Sequence, residues 1–211
     1  MSESTQNGRR EPRAGKSLKA QQRRQEILQI AMDTFAARGY NNASLAEIAD
    51  RAGVTQAGVL HYFRSKAQLL TSVLALRDET GIEQFGTDRP QGLAFLRHLV
   101  DTARRNTERE GIVRLYAVLS AESVTDGHPA QDYFRDRYAG LRTMVTDALA
   151  EACELGETRP DLNIEQAATA IIAVMDGLQI QWLLAPDSVD MAATTDRIVT
   201  ALLADLTSKT T

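Results

Sequence analysis

The feature that most constrains this chain is a pair of short amphipathic segments joined through Ala52-Gly53-Val54. The first opens with Ser44-Leu45-Ala46-Glu47, the form of a capping box. In such a box the Ser hydroxyl takes an orphan backbone N–H and the Glu three residues on reaches back to the cap. Leu45, Ile48, Ala49 and Ala52 then fall on one helical face. Gly53 permits a turn that other residues resist. A second short helix is expected from near Thr55 through Tyr62. Ser65-Lys66-Ala67-Gln68 repeats the capping pattern and opens a further helix through Leu69, Leu70, Val73 and Leu76.

Two short helices joined by a tight turn leave the second protruding, a shape that enters the major groove while the first lies across the backbone. Ile48, Ala49, Val54 and Val59 would pack the pair together, leaving Gln56, Ala57, Gly58 and His61 outward. Gln reads adenine bidentately, and small residues let a helix approach thymine methyls. His61 and Tyr62 offer polar tips for base edges or phosphates, and Phe63 beside them is assigned to the core. Lys66 stands at a helix start, where its charge and nearby N–H groups meet a phosphate. Gly58 costs about 1 kcal/mol against Ala inside a helix; it is read as close approach to DNA, with tight packing as the alternative.

Periodicity extends this pattern over the chain. Ile27, Ile30, Ala31, Thr34 and Phe35 share a face upstream, with Gly39 a suitable stop. Downstream, Leu93 to Ala103 and Val113 to Leu119 carry helical spacing. So does the series Phe134, Tyr138, Leu141, Val145 and Leu149, with Pro129 in its first turn. Asn163 and Gln166 cap a segment that is apolar on almost every side from Ala167 to Leu184. A last helix starts at Ser188, with Ile198, Leu202 and Leu206 on its inner face. No strand-like alternation is present. The expected fold is all-α with about nine helices: a three-helix head on 19–66, joined by a fourth helix to a C-terminal bundle on 67–211. Residues 1–18 form a polar, Arg-rich arm expected to be disordered, and 86–90 and 156–160 read as breaks.

The net charge of −4 conceals a division. Residues 1–67 carry +5 and the remainder −9, so an acidic body bears a basic head suited to phosphate. One cysteine, Cys153, rules out an internal disulfide framework. The N-terminal stretch lacks the apolar run of a signal peptide, and the run from Ala167 to Met175 is far short of the ~20 residues that cross a bilayer. A cytoplasmic protein without a membrane partner is expected. The three histidines and the cysteine are too dispersed for a metal cluster. No phosphate loop or nucleophile elbow occurs, so neither an enzyme nor a cofactor is expected.

Residues 23–76 resemble the TetR family of one-component regulators. The resemblance is carried by Ile27, Ala31, Phe35, Gly39, Tyr40, Ser44, Leu45, Ile48 and Ala49, and most specifically by Ala52-Gly53-Val54, His61-Tyr62-Phe63, Ser65-Lys66 and Leu69-Leu70. It implies a homodimer that binds a palindromic DNA operator as a repressor and is released by a small-molecule effector. It also implies DNA contacts at Ser44, Leu45, Thr55, Gln56, Ala57, Gly58, His61, Tyr62 and Lys66. Further along, 119–122, 128–129, 133–134 and 175–179 resemble the C-terminal domain of the choline-pathway repressor-like subgroup, a likeness of fold that does not single out choline.

Polar groups within apolar helices are the candidate effector contacts: Arg114, Tyr116, Glu122, Tyr138, Met175 with Asp176, Gln179 and Trp182. Each has a rival reading as cap, ion pair or interface residue. The segment 167–184 is too apolar for a monomer's surface; with the last helix it is the expected dimer contact, a four-helix bundle. The helix from Ser65 to about Glu79 is the expected transmitter between body and head. The competing reading is a ligand-independent or architectural DNA-binding protein on the same fold.

Overall fold

The computed structural model describes residues 11–85, 90–158 and 161–207. They form nine helices without a strand: α1 Glu11–Asn42, α2 Leu45–Arg51, α3 Gln56–Tyr62, α4 Lys66–Phe85, α5 Leu93–Thr107, α6 Glu110–Glu122, α7 Gln131–Glu154, α8 Ile164–Leu184 and α9 Met191–Thr207. Residues 86–89 of the expected break, part of that at 156–160 and residues 1–10 of the arm lie outside the described residues.

Four boundaries differ from the sequence reading: α7 begins at Gln131, after Pro129 rather than with Pro129 in its first turn, α4 runs to Phe85 rather than to about Glu79, and the two ends of the chain differ as follows. Residues 11–18, expected in the disordered arm, continue α1. Pro12 sits in the first turn, where its missing N–H costs nothing, and Ala and Lys after it favour helix. The last helix begins at Met191 rather than Ser188, because Asp190 Oδ1 accepts the Ala193 N–H at 2.8 Å and so sets the start. Within α1, Gly39 adopts φ 72°, ψ 174°. It breaks the helix where a stop was expected and turns the chain toward α2.

The buried cluster of the head does not end with the head. Ile27, Phe35, Ile48, Val59, Phe63 and Leu69 are continuous with Leu115 and Leu119 of α6 and Phe134 of α7. Helix α1 packs extensively on α6. The head is therefore seated on the body through a shared core, and the hydrophobic effect that folds one half also fixes its docking on the other. A second cluster joins α5, α7, α8 and α9 through Phe95, Leu96, Leu149 and Ile171. A third gathers Ala103, Val113, Leu178, Trp182 and Met191.

Helix α8 is long and apolar enough to cross a membrane by length and composition, yet only 22% of its most apolar window is buried inside the chain. It packs on α7, α6 and α9, and Asp176 in its middle accepts a hydrogen bond from α7. Ile180 and Leu184 on the same helix are 49% and 81% exposed.

Candidate nucleic-acid interface and effector cavity

The helix pair is held by local chemistry. Ser44 Oγ accepts the Glu47 N–H at 3.0 Å, Thr55 Oγ1 the Gly58 N–H at 3.1 Å, and Ser65 Oγ the Gln68 N–H at 3.1 Å. Each satisfies a donor that the first turn leaves unpaired. The reciprocal half of the first box is not made: the Glu47 carboxylate lies 3.5 Å from the Arg38 guanidinium instead. The turn closes through Gly53, at φ 63°, with the Val54 N–H donating to Ala49 O at 3.0 Å. Arg51 donates to the buried Thr34 hydroxyl at 2.7 Å, tying α2 to α1.

Ser44, Thr55, Gln56, Ala57 and His61 are exposed, while Leu45, Tyr62 and Lys66 are half-buried. Leu45 and Tyr62 pack against the head core, so only part of each side chain faces outward. His61 stands edge-on to Tyr62, ring centroids 5.4 Å apart. Phe63 is buried, as expected, with the Arg24 guanidinium 5.0 Å above its ring. A Cβ added at Gly58 would lie 3.3 Å from Val54 Cβ, which favours the packing reading of this glycine over a purely DNA-facing one. Lys66 Nζ sits 4.4 Å over the Tyr40 ring and 3.4 Å from Asn41 O. Burial pushes its ammonium pKa down and the charge of Glu122 pulls it partly back. Lys19 and Arg23 on α1 belong to the basic stretch that carries most of the head's positive excess. They line a shallow cleft with Tyr62, adding positive charge beside the protruding helix; their basic character was legible, their proximity to Tyr62 was not.

The body encloses a cavity of about 560 Å³ between α4, α5, α6, α7 and α8. Its walls are mostly apolar, with Leu99, Ile112, Val113, Leu141, Met144 and Ile172 prominent. Its charged lining comprises Arg77, Arg105, Arg109 and Arg137 against Asp78, Asp136 and Asp176. At one corner Asp78 Oδ1 accepts the hydroxyls of Tyr116 at 3.2 Å and Tyr133 at 2.8 Å, and these two hydroxyls are 2.7 Å apart. Arg137 approaches the same oxygen to 3.9 Å. The Arg137 and Arg77 guanidinium carbons lie 4.4 and 5.2 Å from the Tyr116 ring centroid. Burial, reinforced by the neighbouring Tyr116 and Asp78, drives the Tyr133 phenol far above its ordinary range. Elsewhere in the lining Tyr138 donates to Asp176 Oδ2 at 2.8 Å. Burial raises the Asp176 pKa, while Tyr138 and Arg137 oppose it; Tyr138 itself is pushed up to about 12, chiefly by burial.

Of the candidate effector contacts, Tyr116, Tyr138, Met175, Asp176 and Gln179 line the cavity, whereas three others stand elsewhere. Arg114 points outward and pairs with Glu110 one turn before it. Trp182 is consumed by the third apolar cluster, and so is set neither in the cavity nor on the open face of α8. Glu122 accepts the Tyr40 N–H at 2.6 Å and lies 3.8 Å from His128 Nε2, at the seam between head and body. The cavity residues that sequence reasoning missed are Arg77, Asp78, Tyr133 and Arg137. Arg77 and Asp78 stand midway along α4, and Tyr133 and Arg137 in the first two turns of α7, on faces whose apolar period gave no sign of an inward polar group.

A capped helix pair with an exposed polar face, fixed by a shared core to a hollow helical body, defines a DNA-binding regulator of the helix-turn-helix class. Residues 27–73 match the model of bacterial regulatory proteins of the tetR family. Residues 91–208 match that of the BetI-type transcriptional repressor, C-terminal. The chain belongs to the TetR family. It is 31% identical over 192 residues to the HTH-type transcriptional regulator ArpR of Pseudomonas putida, covering 85% of this chain and 89% of that one. Among solved structures, a transcriptional regulator from Saccharomonospora viridis in complex with choline matches with a TM-score of 0.69 at 21% identity, covering 85% of this chain and 94% of the other. FadR from Bacillus subtilis in complex with stearoyl-CoA matches with a TM-score of 0.64 at 17% identity, covering 86% of this chain and 98% of the other.

Proposed function

We propose that the protein is a dimeric, cytoplasmic transcriptional repressor that sits on a two-fold-symmetric operator and is released when a small molecule fills the cavity. The observation that carries this reading is the course of α4. It begins at Lys66, beside the Tyr40 turn of the head, and passes Asp78 in the cavity wall. Twelve residues of helix span about 18 Å, so one rigid element touches both sites. A ligand that favours a different setting of α4 shifts the heads to a spacing the operator does not accept. A cavity of about 560 Å³, within the range of small-molecule sites, disfavours the ligand-independent alternative.

DNA contact is assigned to Ser44, Leu45, Thr55, Gln56, Ala57, Gly58, His61, Tyr62 and Lys66, with Gly58 contributing through shape. The dimer forms through α8 and α9, whose outward apolar side chains Ile180 and Leu184 need covering. We read the body's fold as that of the choline-pathway repressor-like subgroup; the BetI-type match and the choline-bound neighbour support this placement. That placement concerns fold and assigns no ligand. The test is selection of bound sequences from random duplex DNA, followed by titration of wild type and a Gln56→Ala, His61→Ala double variant. Enrichment of a palindrome and weakened binding by the variant are expected. Unchanged affinity, or no enriched sequence, sinks the reading.

A further inference from the structure

The corner of the cavity beneath α4 is already built for a carboxylate. Asp78 fills it from inside the chain, accepting two phenolic hydroxyls on one oxygen. The two phenols are largely buried, so their hydroxyls need an acceptor, and the Asp78 carboxylate, itself 39% exposed, supplies it. Arg137 stands close but, at 3.9 Å, too far for a hydrogen bond. Two of the groups that a cation could use are already engaged, which leaves Asp136 as the further acidic group of the lining. The Tyr116 ring already has guanidiniums at 4.4 and 5.2 Å, which take the position a quaternary ammonium uses. Asp176 is engaged by Tyr138 at 2.8 Å. The remaining wall is mostly apolar, with Arg105, Arg109 and Asp136 also in the lining.

We propose that the cavity takes an amphipathic acid, an apolar body ending in one carboxylate, and that this carboxylate displaces Asp78 from Tyr116, Tyr133 and Arg137. Guest and Asp78 carry the same charge and want the same donors, so they exclude one another. Because Asp78 belongs to α4, its expulsion moves the helix that begins at the head. The ligand class stands on the cavity alone; the consequence for DNA rests on the ligand-released reading above.

Calorimetric titration of the full chain with decanoate, decanol and decyltrimethylammonium tests the class, since the three share an apolar body and differ in the end group. Decanoate is expected to bind about tenfold or more tightly than either other probe. Equal or tighter binding of the alcohol or the cation overturns the proposal, as does the absence of decanoate binding. Asp78→Ala removes the internal competitor and is expected to raise decanoate affinity about tenfold while leaving decanol unchanged. An unaltered decanoate affinity overturns the displacement. Tyr133→Phe, which keeps the ring packing, is expected to weaken decanoate and spare decanol; equal effects on both overturn the assigned corner. Titration of decanoate into the protein–operator complex separates the two readings: binding without release refutes ligand-released repression and leaves the ligand class standing.

Discussion

The carboxylate of Glu122, at the end of α6, accepts the backbone N–H of Tyr40 at 2.6 Å across 82 positions of sequence. The contact is a clasp between head and body at the point where Gly39 has broken α1. His128 stacks edge-on against Tyr40, with centroids 5.1 Å apart, and Lys66 covers the Tyr40 ring. Glu122, first read as an effector contact, thus secures the head rather than the cavity.

Glu122→Ala is expected to lower unfolding stability by about 1–3 kcal/mol, the cost of stranding a partly buried donor. Glu122→Gln keeps an acceptor for Tyr40 and should recover most of the loss. Denaturant unfolding of both variants checks this; equal losses would show that charge, not acceptance of the N–H, is what matters at the seam.

Gly39 makes the clasp possible. Its φ of 72° is strained for any side chain, and a Cβ there would press into the Glu122 carboxylate. Gly39→Ala is therefore expected to cost about 1–3 kcal/mol, and more than Gly53→Ala. At Gly53 the φ is also positive, but a Cβ would meet nothing within 4 Å. Thermal unfolding of the pair ranks them, and the reverse order would refute the steric part of the argument.

On the DNA face, Gln56→Ala is expected to cost about 1–3 kcal/mol of operator affinity and to relax selection at one base pair. Lys19→Ala and Arg23→Ala, beside Tyr62, should weaken binding across sequences and each reduce the salt slope by about 1. Fluorescence anisotropy against salt distinguishes the two kinds of loss. A Gln56 variant that weakens all sequences equally would move that residue to the backbone class.

What the sequence made legible follows from where its signals are local. Ser44, Thr55, Ser65 and Asn163 cap helices with their own side chains, so spacing alone locates the starts. The cavity is different in kind. Asp78 meets Tyr116 and Tyr133 across 38 and 55 positions, and no helical period announces such a meeting. Arg114 and Tyr116 look alike in sequence as polar residues on an apolar helix. Two positions apart, they turn by about 200°, which sends one outward to Glu110 and the other into the cavity.

Asp176 gives a pH-dependent prediction. Burial raises its folded pKa above the ordinary 3.8, so the protonated form suits the fold better than the ionised one. Ionisation then costs stability, fully above the folded pKa and not at all below the unfolded one. Asp176→Asn preserves an acceptor for the Tyr138 hydroxyl and removes that cost. Its Tm should exceed wild type at pH 7 and the gap should narrow as pH falls toward 4. A gap independent of pH would show that packing rather than ionisation separates the two.

The exposed apolar side chains of α8 bear on assembly. Leu184 is 81% exposed and Ile180 49%, positions where an isolated chain gains nothing from an apolar group and where a two-fold mate would bury both. Because neither side chain holds the chain's own core, Leu184→Glu with Ile180→Glu is expected to leave the thermal transition of the dilute protein within a few degrees of wild type. If the proposed dimer forms there, wild type sediments as a dimer and the same pair converts it to a monomer. A monomer presents one head, so it forfeits the second half-site, and operator affinity should fall by at least about tenfold while contacts at a single half-site persist. A variant that sediments as a dimer and keeps full operator affinity would place the two-fold contact away from this end of α8.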